Sequence, residues 1–292
     1  MPLTERVQAW RDRGAAETVA GRRVHVFRQD GRDPVLLLLH GFPSSSYDWR
    51  LLIDEDIGGR AVLAFDCLGF GLSEKPRRHD YTLAEQAEIA EALLGRHAPG
   101  RAVFVVGHDM GTSVATELFA RDRDGTLEAD LRGALLFNGS MIQGAASPTV
   151  AQRLLRGPAG PLAARLSSER FFRHQFGSVF SEAHPLSDDE AADQWSLICA
   201  GGGRTLGHRL ISYMDERERN AERWHGAIRW WPKPLALAWG MRDPVATKRV
   251  LDGVRALRPQ APLIQLRDVG HYPQIEDPDA LAGALVAALR AV

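Results

Sequence analysis

Three short runs in the first half of the chain, residues 35–39, 61–65 and 102–106, are apolar at every position. A strand apolar only at alternate positions has one dry face, whereas one apolar throughout must be buried on both faces. That requires a mostly parallel sheet covered by helices on each side. Each run ends in a cluster of glycine, histidine or aspartate, at the carboxyl edge where such sheets place their chemistry.

The pattern continues with β-type runs at 131–137, 235–239 and 263–266. Between the second and third runs, residues 82–97 carry Leu83, Ala87, Ala90 and Leu94 at helical spacing, and Thr82 with Glu85 reads as a capping box. A last helix should start at Asp277 and Pro278 and bury Leu281, Leu285 and Leu289. Residues 139–231 break the alternation, with helical segments, glycines at 201, 202 and 203, and no β-type run. We therefore expect an α/β core formed by residues 1–138 and 232–292, with a helical cap of residues 139–231 inserted after the sixth strand and lying over the carboxyl edge.

Composition limits the partners. Hydrophobic residues make up 45% of the 292 and charged residues 25%, which fits a globular chain with a sizeable core. Thirty-six basic against 37 acidic residues leave a formal charge of −1, giving no electrostatic reason to expect nucleic acid. The two cysteines, Cys67 and Cys199, form neither a disulfide framework nor a zinc pattern. The first residues mix Glu5, Arg6, Arg11 and Asp12 with scattered apolar positions, unlike a secretory leader. No apolar run approaches the ~20 residues of a membrane span, so a cytoplasmic location is expected. No metal or nucleotide motif occurs, and the expectation is an enzyme without a cofactor.

The sequence Gly107, His108, Asp109, Met110, Gly111 follows a buried strand and precedes a helical stretch. This is the setting of a nucleophile elbow, in which small residues two before and two after let strand and helix approach closely. Its central residue is usually serine, and here it is aspartate. A carboxylate attacks saturated carbon, opening an epoxide or displacing a halide, and becomes an ester that water must then hydrolyse. Alone, the motif fits a helix-capping aspartate equally well. Two other strand ends shift the balance: Asp243 follows the run 235–239 and His271 follows the run 263–266, giving the order nucleophile, acid, histidine. The strand ending at Asn138 offers no rival acid. His40, Gly41, Phe42 and Pro43 end the first run, so the Phe42 amide, with that of Met110, would form a two-donor oxyanion hole. His40 itself is a candidate substrate contact. His108 is expected to pack beneath the elbow, Asp66 to fix a turn, and Glu276 with Asp277 to cap the last helix.

With these motifs in place, the sequence resembles epoxide hydrolases and haloalkane dehalogenases of the α/β-hydrolase superfamily over essentially its whole length. The strings HGFPSSSYDW, LGFGLSEKP and HYPQIEDP, with RHDYTLAEQAEIAEALL between them, resemble the mesoderm-specific transcript branch. The resemblance to epoxide hydrolases implies two cap tyrosines that protonate the epoxide oxygen. Tyr213 matches one of them, and no tyrosine matches the other, where His174 or His184 could stand in. The resemblance to dehalogenases implies two N–H donors for halide. Phe42 and Met110 occupy two of those places and donate nothing from their side chains, although Trp195 could restore half of the site. Three readings follow: epoxide hydrolysis of a small or medium hydrophobic substrate first, dehalogenation second, and a ligand-binding protein without turnover third. Oligomeric state is not legible.

Overall fold

The computed structural model describes residues 1–55 and 57–291. Eight strands form one sheet: β1 (Gly14–Val19), β2 (Arg22–Gln29), β3 (Arg32–Leu39), β4 (Arg60–Phe65), β5 (Ala102–His108), β6 (Asp130–Phe137), β7 (Leu235–Gly240) and β8 (Leu263–Leu266), in the order β1-β2-β4-β3-β5-β6-β7-β8. From β4 through β8 every neighbouring pair is parallel, while β2 runs antiparallel to both β1 and β4. The β1–β2 hairpin had no sequence expectation, because its burial is irregular and its exposed edge carries no continuous apolar run.

The uniformly apolar runs are the central strands, and the reason is visible in their two faces. Val35, Leu37 and Leu39 of β3, with Val103 and Val105 of β5, pack into one apolar cluster, whereas Leu36, Leu38, Phe104 and Val106 pack into a second on the opposite side. Successive side chains on a strand point to opposite faces, so a sheet with two cores needs apolar residues at every position. Each such residue removed from water contributes about 1.5–3 kcal/mol.

The helices are α1 (Glu5–Arg13), α2 (Arg50–Asp54), α3 (Leu83–His97), α4 (Met110–Arg123), α5 (Val150–Arg156), α6 (Gly160–Leu166), α7 (Glu169–Gly177), α8 (Asp188–Cys199), α9 (Gly207–Leu210), α10 (Tyr213–Arg219), α11 (Ala221–Trp230), α12 (Lys248–Leu257), α13 (Pro273–Glu276) and α14 (Pro278–Leu289). Thr82 caps α3 by accepting from the Glu85 amide at 3.1 Å, but the Glu85 carboxylate turns to Arg22 and His79 instead of closing the expected box. Seven helices, α5 to α11, lie between β6 and β7. They do not behave alike. The last, α11, packs against α4, with Trp224 donating to Glu117 at 2.9 Å, and just beyond its end Trp231 stacks on Phe119 at 4.0 Å. The earlier ones, α5 to α8, surround a cavity over the strand ends.

Candidate active site

The turn between β5 and α4 holds Asp109 at φ 44°, ψ −109°, a conformation that costs a non-glycine residue roughly 1–3 kcal/mol and persists only where the surroundings impose it. They do so by crowding. A Cβ on Gly111 would overlap the Leu39 carbonyl, and one on Gly41 would stand 2.7 Å from the Cβ of Asp109. Glycine at these two places lets the end of β3, the elbow and the start of α4 meet at one point. There the Phe42 N–H donates to Asp109 Oδ2 at 3.0 Å. The Met110 amide opens α4, where helix geometry supplies no acceptor one turn back.

His271 and Asp243 meet on the neighbouring strand ends. His271 Nδ1 lies 2.7 Å from Asp243 Oδ2, so the Nδ1–H donates to the carboxylate and the lone pair of Nε2 is left for other work. Asp243 Oδ1 accepts from the amides of Val245 and Ala246 at 2.7 and 3.0 Å. Burial by itself pulls the His271 imidazole down. The Asp243 carboxylate, helped by Asp109 and Glu276, outweighs it and lifts His271 to about 8.

Two residues that the sequence reading did not place in the site hold this pair. Asn138, at φ 46° where β6 ends, donates to Asp243 Oδ2 at 2.7 Å and accepts from the Gly240 amide at 2.9 Å. Glu276 accepts from the amides of Gly270, Tyr272 and Ser181 at 2.8, 3.0 and 2.9 Å, which fastens the histidine loop to the insert. The expected capping of the last helix therefore falls to Asp277 alone, whose carboxylate accepts from the Ala280 amide at 3.0 Å. Asp66 fixes its turn as expected, accepting from the amides of Ser46 and Leu72 at 2.8 and 2.6 Å. His108 lies beneath the elbow with both ring nitrogens engaged, by the His271 carbonyl at 2.7 Å and the Gln274 amide at 3.0 Å.

From the insert, α10 delivers Tyr213 and, one turn later, Arg217. The Arg217 guanidinium is buried, donating from Nη2 to the Asp109 carbonyl and from Nε to Ser113 Oγ, both at 2.7 Å, and Nη2 stands 3.7 Å from Asp109 Oδ1. A buried cation this close compensates the buried Asp109 carboxylate. Residues four apart share a helix face, so a cation one turn after Tyr213 was the available sequence signal. Tyr213 packs against Phe42 with ring centroids 5.8 Å apart, and the Arg217 guanidinium lies 4.7 Å from its ring centre. Burial first, then the Asp109 charge, push the phenol far above its usual range, so it stays protonated. Gln152 and Arg217 act on its oxygen in the opposite sense.

A cavity of about 330 Å³ opens over this edge. Its walls are chiefly apolar, with Phe42, His271 and Tyr272 at the buried end and Leu154, Leu166 and Phe171 toward solvent. Trp195 lies in its wall, stacked on Phe172 at 5.4 Å. Asp109, Tyr213 and Arg217 do not reach its surface in this conformation, and each is 3% exposed or less. Lys75 lines the cavity too, its ammonium donating to the carbonyls of Phe70, Gly71 and Ser73.

Two expected substrate contacts lie elsewhere. His40 is fully buried, with Nδ1 on the Gly41 carbonyl at 2.8 Å and Nε2 accepting from the Cys67 amide at 2.9 Å, so it braces the loop before Phe42 and has no nitrogen left for a ligand. His174 is exposed on α7 and does not line the cavity, because its neighbours Phe172 and Phe176 take the inward positions. His184 does not line it either. Among the described residues no group of three or more histidine, cysteine or acidic side chains is placed to hold a metal, and no helix is long and apolar enough to cross a membrane.

Residues 34–278 match the family described as the alpha/beta hydrolase fold. The chain belongs to that family. It is 52% identical to "Putative hydrolase LipZ" of Mycobacterium tuberculosis over 97% of this chain and 98% of that one. It is 34% identical to the mesoderm-specific transcript homolog protein of Homo sapiens, over 94% and 85%. Among solved structures it is similar in fold to the haloalkane dehalogenase DatA of Agrobacterium tumefaciens (TM-score 0.77, 21% identity, 96% and 98% covered). The epoxide hydrolase CorEH is equally similar (TM-score 0.77, 19% identity, 95% and 98% covered). Equal likeness to both enzymes leaves reaction type to the site itself.

Proposed function

We propose that the chain is a hydrolase working through a covalent ester on Asp109, and that its substrate is a hydrophobic epoxide opened to a diol. The observation that carries the reading is the placement of Asp109. Its carboxylate, not a hydroxyl, stands at the elbow with Oδ2 already on the Phe42 amide, which leaves Oδ1 to attack. The Oδ1–carbon bond forms as the epoxide carbon–oxygen bond breaks, and the leaving alkoxide takes the Tyr213 proton. Gln152 and Arg217, which act on the Tyr213 oxygen, then steady the phenolate.

In the second half-reaction His271 Nε2 takes a proton from water, whose oxygen adds to the ester carbon. Negative charge collects on Oδ2, where the Phe42 N–H is in place and the Met110 N–H can join it. Collapse releases the diol, the proton of the added hydroxyl passing to the leaving oxygen, and the imidazolium returns to solvent the proton that solvent gave to the Tyr213 phenolate. His271→Gln should stop the cycle after the first half, leaving an epoxide-derived adduct on the Asp109 peptide by mass spectrometry. An inactive variant without adduct, while the wild type forms diol, would contradict the covalent reading.

Epoxide opening is favoured over halide displacement by what faces the nucleophile. Phe42 and Met110 carry no side-chain donor for halide, and Trp195 is set in an aromatic wall with Phe172, Phe176 and Tyr272. Tyr213, in contrast, brings a phenol packed on Phe42 and Arg217, both of which contact Asp109.

A further inference from the structure

The large apolar side chains most exposed on this protein are not scattered. Apart from Met1 and Trp230 they are Val150, Leu154, Leu162, Leu166 and Phe171, all on α5, α6 and the start of α7, with exposures from 39% to 70%. Exposed apolar residues are ordinary when single, but a contiguous group marks a surface that meets something. Three of the five, Leu154, Leu166 and Phe171, also line the cavity, so the patch is the rim of its opening.

Charge identifies the occupant. Residues 150–175 hold five arginines and one glutamate, in a chain whose formal charge is −1. Arg156 and Arg173 are spent on Asp215, Glu218, Asp188 and Glu169. Arg153, Arg165 and Arg170 are exposed and form no ion pair among the described residues, and neither does Arg204 beside the same rim. A second copy of the chain is a poor fit, since a two-fold contact would set one arginine rim against the other. Apolar side chains ringed by unpaired arginines match the two layers of an anionic bilayer surface, acyl chains within and phosphates around them.

We propose that the face formed by α5, α6 and the start of α7 docks on anionic phospholipid membranes, with the cavity mouth opening onto the lipid. A hydrophobic substrate dissolved in the bilayer would then enter between Leu154, Leu166 and Phe171 without crossing water. Docking needs no turnover, so its test stands apart from the reading of the reaction.

The full chain should float with vesicles of phosphatidylcholine mixed with phosphatidylglycerol, bind vesicles of phosphatidylcholine alone far less, and be released by salt. Arg153→Gln, Arg165→Gln and Arg170→Gln together should weaken binding by roughly 10²-fold, about fivefold for each arginine near an anionic surface. Leu162→Asp should weaken it again. These four side chains lie outside the cavity lining and are exposed, so thermal melting and turnover of a water-soluble substrate should be unchanged. Absence of binding to the mixed vesicles would overturn the proposal, as would binding indifferent to all four substitutions. So would a dimer in sedimentation velocity that the same substitutions dissociate, which would make the patch an interface between copies.

Discussion

At the carboxyl edge of the sheet the candidate machinery is held chiefly by hydrogen bonds from main-chain amides, whereas in the helical insert it is held by how its side chains pack on and bond to that edge. The Asp109 conformation is imposed by the approach of β3, β5 and α4. Asp243 is fixed by two backbone amides, and the loop bearing His271 by three amides converging on Glu276. Tyr213 and Arg217 are positioned instead by packing on Phe42 and by contacts to Asp109 and Ser113. On the proposed mechanism the division is one of labour: the edge would set what bond chemistry is available, and the insert which leaving group can be handled and how it is reached.

The sharpest way to break that comparison is Tyr213→Phe. If the insert supplies the acid for the leaving oxygen, turnover of an epoxide should fall by ~10²-fold or more, the usual size for a lost general acid, with alkylation as the slowed step in rapid-quench kinetics. Unchanged turnover would leave the insert with no part in the chemistry.

A smaller effect comes from pH, and it separates the two half-reactions. His271 stands at about 8 in the free enzyme partly through the charge of Asp109. In the proposed mechanism esterification removes that charge and the strongly basic Tyr213 phenolate recovers a proton from solvent, so the same imidazole in the alkyl-enzyme should titrate below that value. If its neutral form is the base, as proposed, single-turnover ester hydrolysis should rise with pH, level off before pH ~8, and fall roughly tenfold per unit below its midpoint. Alkylation, which in the proposed mechanism uses protonated Tyr213 and no base, should be flat across that window. A midpoint for hydrolysis at or above the free-enzyme value would show that the charge of Asp109 does not raise His271.

The smallest effect belongs to His174→Ala. On the exposed side of α7, that residue should leave both half-reactions within about twofold, since surface changes away from such features alter energies by within ~0.5 kcal/mol. A large loss in steady-state kinetics would place it in the site after all.

Much of the edge was legible in the sequence because apolar strands and the glycines that follow them are local signals: residues 35–39 and 102–106 carry their own burial requirement, and the positions after them inherit a place in space. The insert was not legible in the same way. The resemblance to epoxide hydrolases pointed to Tyr213, but the orientation of His174 depends on which face of α7 meets the cavity, and aromatic neighbours took that face. His40 follows the same logic at the edge, where the Gly41 carbonyl and the Cys67 amide claimed both nitrogens. Asn138 binds groups of Gly240, Gly270 and Asp243 that lie far along the chain, and Glu276 ties the nearby Gly270 and Tyr272 amides to that of distant Ser181, so no local pattern announces the full set of partners. Arg217 left a trace, its spacing from Tyr213, whose meaning appears only when α10 is seen to face the elbow.

The claim that joins these parts is that Asp109 is consumed and regenerated. In a single turnover with enzyme in excess in ¹⁸O-water, the first product should carry no heavy oxygen, and the peptide containing Asp109 should gain it, because water attacks the carboxyl carbon and leaves its oxygen there. Heavy oxygen appearing directly in the first-turnover product, with none on Asp109, would mean that His271 drives water onto the substrate itself and would contradict the account.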